Sequence, residues 1–188
     1  SEGSSYLNGQ LKPATRLRAS WEINRQAYFL YLLAENGIQT SAARATALLA
    51  EQRELLYPYA KANLVMVYEV TGHSGAPEQQ SLLADLYDTA NLSAAGAHWQ
   101  NLEQDWDNLG SDISGTAIVL NTLLQMDPTN QLLPNVVRWL MVARTIGHWP
   151  TTHETAWSIE ALANWMVTSG ELNANYDYQL QANQETVA

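Results

Sequence analysis

Cysteine is absent from all 188 residues, which excludes disulfides, thiolate metal sites and a cysteine nucleophile. Positive charge is scarce: 9 Lys and Arg stand against 19 Asp and Glu, a formal net charge of −10, so a nucleic-acid backbone or an anionic membrane face is repelled and no nucleic-acid partner is expected. No apolar run approaches the ~18 uninterrupted residues that a membrane span needs. The opening SEGSSYLNGQ has neither the basic nor the apolar region of a signal peptide, and the chain reads as a piece cut from something larger. What is present is 46% hydrophobic and only 15% charged, the composition of a globular chain with a real core.

The apolar residues fall largely at helical spacing. TRLRASWEINRQAYFLYLLAE, residues 15–35, places Leu17, Trp21, Tyr28 and Leu32 on one stripe behind Pro13, and Asn36-Gly37 stops it. A second helix is expected from Ser41 to Leu56, a third from Pro58 to Gly72, and a fourth from Pro77 to about Asn91. SAAGAHWQNLEQDWDNLGSD then lacks a sustained period and reads as a long loop or short turns. A fifth helix follows Ser111-Asp112 and ends at Asp127-Pro128; a sixth starts around Pro134 and continues NVVRWLMVARTI, both expected to be largely buried.

GHWPTTHETAWSIEALANWMVTSG, residues 147–170, reads as a loop that turns into the seventh helix. Thr151 with Glu154 three positions later forms a capping box, and Gly170 is a C-cap. Trp157, Ile159, Ala161, Leu162, Ala163, Trp165 and Met166 make this helix apolar over most of its circumference, which predicts an inner helix with Ile159, Leu162, Ala163 and Met166 buried. About seven helices joined by short loops imply antiparallel neighbours: an all-α fold, an α/α toroid or part of a helical-hairpin barrel, over residues 1–172. Beyond it, Tyr176, Tyr178 and Leu180 alternate with polar residues. Residues 173–188 are therefore expected to be the first β-strand of a following β domain.

Chemistry-bearing residues cluster in two places. His148, His153 and Glu154 could be read as metal ligands or as an acid and base, but His148 lies five residues before His153 rather than one helical turn away, and Glu154 is committed to the cap. No metal, cofactor or catalytic residue is expected there. His98 and Trp99, followed by Glu103, Asp105, Trp106 and Asp107, combine an imidazole, three carboxylates and aromatic faces, a mixture found in carbohydrate clefts and cation sites. The simpler reading is a solvated loop packed down by its Trp residues. Glu51-Gln52, inside a helix and without a Cys near it, reads as an exposed helical patch.

TAIVLNTLLQMDPTNQLLPNVVRWLMVAR, then GHWPTTHETAWSIEALANWM, GEL and NYDY, together with AHW at Ala97–Trp99, form a pattern that resembles the end of the thioester-containing, or complement-like, domain of bacterial alpha-2-macroglobulins. The resemblance covers roughly the second half of the chain. It implies a toroid of paired inner and outer helices in a periplasmic or cell-envelope inhibitor that traps proteases, with other domains of the parent chain as partners and proteases as the parent's targets. The family's thioester joins Cys and Gln of a Cys-x-Glu-Gln motif, and with no Cys this chain has no thioester. The residues that carry over, Trp149, Thr151, Thr152, Glu154 and Trp157, are scaffold positions. The resemblance thus implies a non-catalytic domain; the alternative is a fragment of an α/α-toroid enzyme, glycan-active or terpenoid-cyclase-like, whose Glu103, Asp105 and Asp107 would converge on His153 or Glu154.

Overall fold

The computed structural model describes residues 2–171 and, in the tail, the backbone of Gln181–Ala182 and Glu185–Thr186. Among these residues eight α-helices dominate: α1 Glu2–Gln10, α2 Ser20–Glu35, α3 Ser41–Gln52, α4 Pro58–Val70, α5 Pro77–Asp88, α6 Asp112–Met126, α7 Leu133–Val142 and α8 Thr152–Ser169. A small antiparallel hairpin, β1 Asn91–Ser93 with β2 Gly96–His98, lies between α5 and α6. Pro58 and Pro77 stand at the starts of α4 and α5, where a missing N–H costs nothing because those donors have no intrahelical partner.

Packing follows chain order. Helix α2 lies against α4, α4 against α6 and α6 against α8, so these four form a row; α3, α5 and α7 flank it, each against the row helix that precedes it in sequence. The middle of the row is buried nearly all round. In α4 only Pro58, Lys61, Glu69 and Val70 escape full burial, and α6 buries Ala117, Val119, Leu120, Leu123 and Leu124 together with Ser114, Thr116 and Thr122. Removing such surface from water, at about 25 cal/mol per Å² of apolar area, is what fixes the row.

Four sequence expectations shift. The first helix of the row starts at Ser20, not Thr15: Ala14–Arg16 is a 3-10 turn, and Leu17 beyond it is already extended. The stripe that α2 buries is Ile23, Ala27, Leu30 and Ala34, leaving Trp21, Tyr28 and Leu32 half-buried. An eighth helix, α1, is additional to the seven expected; it buries no residue, so it carries no apolar period to detect. Helix α7 is amphipathic rather than buried, with Leu133, Val136 and Leu140 inward and Val142 outward.

The largest correction concerns α8, which is a surface helix at one end of the row. It buries Glu154, Ser158 and Ala161, while Ile159 and Met166 are exposed, at 56% and 39%, as is Ala163, and Leu162 is half-buried. The side facing α6 is thus the side with the small and polar residues, so an apolar circumference could not say which face would be covered. In the tail, Gln181–Ala182 pairs antiparallel with Glu185–Thr186; the alternating stretch at 176–180, on which a strand is expected, lies outside the described residues.

Candidate functional site

The loop between β2 and α6 is held down by a network of side-chain hydrogen bonds. Asp105 is buried, with 3% of its surface exposed, and its Oδ2 accepts the Tyr59 hydroxyl at 2.5 Å. Asn108 Nδ2 reaches both Asp105 oxygens, at 3.0 and 3.1 Å, and also donates to the Trp21 carbonyl at 2.9 Å. Asn108 Oδ1 in turn accepts from Arg25 Nε at 2.8 Å, and Arg25 Nη2 donates to the Asp107 carbonyl at 2.7 Å while the guanidinium lies 4.6 Å from the Trp21 ring centroid. Burial first, and then the hydrogen bond to Asp105 and its charge, push the Tyr59 hydroxyl far above its ordinary value of 10. The phenol therefore stays a donor throughout the ordinary pH range, and Asp105 is taken up as its acceptor.

Two backbone features shape this loop. Leu109 closes the 3-10 turn Trp106–Asn108 in the left-handed region, φ 56°. At Gly110, whose N–H donates to the Asp105 carbonyl at 2.9 Å, a Cβ would stand 3.1 Å from the Asp105 carboxylate. The sequence contains a readable signal in the run Asp105-x-x-Asn108-x-Gly110, residues that favour tight turns with side-chain-to-backbone bonds. Nothing in it points to Tyr59, which lies 46 residues away.

The three carboxylates singled out from the sequence do not converge. Asp105 faces Tyr59 and Asn108; Glu103 lines a cleft shared with Asp112 and Glu154; Asp107 lines a different pocket, shared with His153 and Trp157. His98 is stacked on Trp139 with ring centroids 4.4 Å apart and 2° between planes. Trp99 is core: 1% exposed, its indole N–H bonded to the Leu86 carbonyl at 2.7 Å. Among the described residues no three His, Cys, Asp or Glu groups stand together as a metal would require, and no helix is long and apolar enough to cross a membrane.

The motif at the start of α8 has the expected cap. Thr151 Oγ1 accepts the Glu154 N–H at 3.1 Å, and Glu154 Oε2 accepts both the N–H and the hydroxyl of Thr151 at 2.9 Å each. Glu154 is itself buried, and its other oxygen, Oε1, accepts the Ser111 hydroxyl at 2.7 Å. Ser111 is the N-cap of α6, with a capping box of its own to Ser114. Trp149 is 6% exposed and donates its indole N–H to the Leu140 carbonyl at 3.0 Å, pinning the loop before α8 to the last turns of α7. Trp157 Nε1 donates to His153 Nε2 at 3.0 Å, while Thr152, the first residue of α8, is exposed.

The pocket that holds Asp107 and His153 encloses about 500 Å³ and draws its walls from all four helices of the row as well as from the loop. Tyr28 and Phe29 of α2, Tyr59 and Asn63 of α4, Ile118 of α6 and Trp157 of α8 supply its side chains. Compared with protein-family models and with curated proteins, the chain matches none.

Proposed function

We propose that this chain is a non-catalytic helical domain of an alpha-2-macroglobulin-like protease-trapping inhibitor of the bacterial cell envelope, acting with other domains of its parent and having proteases as the parent's targets. The observation that supports the reading is the row α2, α4, α6, α8 with α3, α5 and α7 along its flank, a packing of successive helical hairpins of the kind from which an α/α toroid is built. The scaffold role of the carried-over residues fits the same reading: Trp149, Thr151 and Glu154 all fasten the start of α8, and the Thr151 hydroxyl and the Glu154 carboxylate are spent on each other in the cap. The divergence of Glu103, Asp105 and Asp107 favours it over the toroid-enzyme alternative, which needs them together.

The test is hydrogen exchange on the intact parent before and after cleavage by a protease. A trap that rearranges alters protection over residues 152–169, which expose Ile159, Met166 and Val167; unchanged protection there and across the row would overturn the reading. In parallel, the isolated chain is expected to keep its mass in the presence of methylamine. Turnover of a polysaccharide or an isoprenoid by the purified chain, lost on replacing Asp107, would install the enzyme alternative instead.

A further inference from the structure

The pocket between the row and residues 107–110 offers mainly apolar walls. Phe29, Ile118 and Trp157 line it, and the polar atoms of two of its aromatics are spent within the protein: the Trp157 indole N–H goes to His153 Nε2, and the Tyr59 hydroxyl to Asp105. What those rings present to the pocket is therefore apolar surface. Its volume of about 500 Å³ lies within the range of small-molecule sites.

Two opposite charges line the same pocket without pairing. Arg25 Nε donates to Asn108 Oδ1 at 2.8 Å and Nη2 to the Asp107 backbone carbonyl at 2.7 Å, so neutral acceptors fasten the guanidinium to the loop. Nη1 has no bond, and the carboxylate of Asp107, an exposed residue, has no ion pair and no hydrogen bond among the described residues. The contact that fixes Arg25 on the Asp107 carbonyl thus keeps it off the carboxylate of the same residue. A ligand with a single charge gains one partner here and meets one like charge, whereas a ligand carrying both signs gains two partners.

We propose that this pocket binds a zwitterion with an aromatic or branched apolar side chain, its ammonium on the Asp107 carboxylate, its carboxylate on the free Nη1 edge of Arg25, and its apolar part against Phe29, Ile118 and Trp157. A guanidinium edge suits a planar carboxylate, and an exposed carboxylate suits a compact ammonium. A free aromatic amino acid and a dipeptide ending in an aromatic residue carry the same two charges, the dipeptide with them farther apart. The inference rests on this pocket alone and stands apart from the protease-trap reading.

The experiment titrates L-phenylalanine and, separately, the dipeptide Gly-Phe into the full 188-residue chain, followed by tryptophan fluorescence and by the Trp157 indole resonance. Saturable binding of at least one, with a dissociation constant on the order of 1 mM for so small a probe, is expected, and the tighter of the two names the source. The singly charged analogues 3-phenylpropionate, which lacks the ammonium, and 2-phenylethylamine, which lacks the carboxylate, should each bind about fivefold more weakly than the better zwitterion. Asp107→Asn removes the carboxylate and leaves the carbonyl that Arg25 uses, so circular dichroism should stay unchanged while the zwitterion weakens to about the level of 3-phenylpropionate, whose own affinity does not fall. Absence of saturation by both zwitterions up to about 20 mM, equal or tighter binding of either singly charged analogue, or zwitterion binding indifferent to Asp107→Asn overturns the proposal. The comparison among the probes needs no variant, so it decides the matter even where the substitution fails to fold.

Discussion

Glu154 Oε1 accepts the Ser111 hydroxyl at 2.7 Å while Glu154 Oε2 caps Thr151, so a single buried carboxylate ties the N-termini of α6 and α8 together. Both helix starts favour negative charge, and one anion serves the two. Thr151→Ala is expected to cost about 0.5–2 kcal/mol, the ordinary range for a lost cap. Glu154→Ala should cost more, about 2–4 kcal/mol, because it removes both the reciprocal half of the α8 cap and the carboxylate acceptor of the Ser111 hydroxyl. Urea titrations of Ser111→Ala, Thr151→Ala and the double variant should show non-additivity of at least about 0.5 kcal/mol; strict additivity would mean that Glu154 does not couple the two caps.

Ile146 is 94% exposed and sits at φ 52°, followed by Gly147 at φ 83°, in a two-residue turn closed by Thr145 N–H to the His148 carbonyl at 2.7 Å. Two successive positive φ values are the signature of the tight hairpin turn that favours Asn-Gly. A β-branched residue is strained there and buries nothing in return. Ile146→Asn should therefore stabilise the chain by about 1 kcal/mol and raise Tm by about 2–4 °C. A fall in Tm would contradict the turn geometry.

Gly96, at φ 129°, lets β2 approach α7 closely: a Cβ there would lie 2.3 Å from the Asn135 carbonyl oxygen and 2.8 Å from the Trp139 nitrogen. Both are backbone atoms of a helix and cannot step aside. Gly96→Ala should cost about 2–4 kcal/mol by chemical denaturation, with the strained φ adding to the clash. A cost below about 0.5 kcal/mol, the range of featureless surface positions, would place β2 farther from α7.

Asp85 receives Arg53 at 2.6 Å and Lys61 at 2.9 Å. Partial burial favours the neutral carboxyl, but the hydrogen bonds and charges of the two cations outweigh it and hold the group below its ordinary 3.8. A carboxylate whose folded value is depressed stabilises the fold at pH values above its unfolded value. That contribution is lost as pH falls below about 4 and on through the depressed value. Asp85→Asn should thus flatten the acid limb of the stability curve below about pH 4 and leave Tm at pH 7 lower than wild type. An acid limb identical to wild type would mean that the pair is too well solvated to matter.

Local chemistry carries much of the fold in readable form. Pro58, Pro77 and the Thr151–Glu154 pair announce helix starts because capping and proline geometry act within one turn of the chain. What is not legible depends on which faces meet. Helices α4 and α8 both look apolar around most of their circumference, yet α4 is enclosed and α8 turns Glu154, Ser158 and Ala161 inward, because position in the row decides coverage. Ile159→Ser should accordingly cost less than about 0.5 kcal/mol. The site follows the same division: the 98–107 stretch stands out by composition, but Tyr59 and Arg25, which organise it, come from helices 46 to 83 residues earlier.

That separation bears on the order in which the molecule assembles. Helices α2, α4 and α6 each pack on the helix that follows in sequence, so most of the structure can be added step by step from near neighbours. The bonds from Arg25 to Asn108 and from Asn108 to the Trp21 carbonyl span 83 and 87 residues. Closing loops of that length carries a larger entropic cost. Residues 107–110 of this loop form one wall of the pocket, so that wall is expected to set after the helices it rests on, and its bonds are expected to open before the row unfolds.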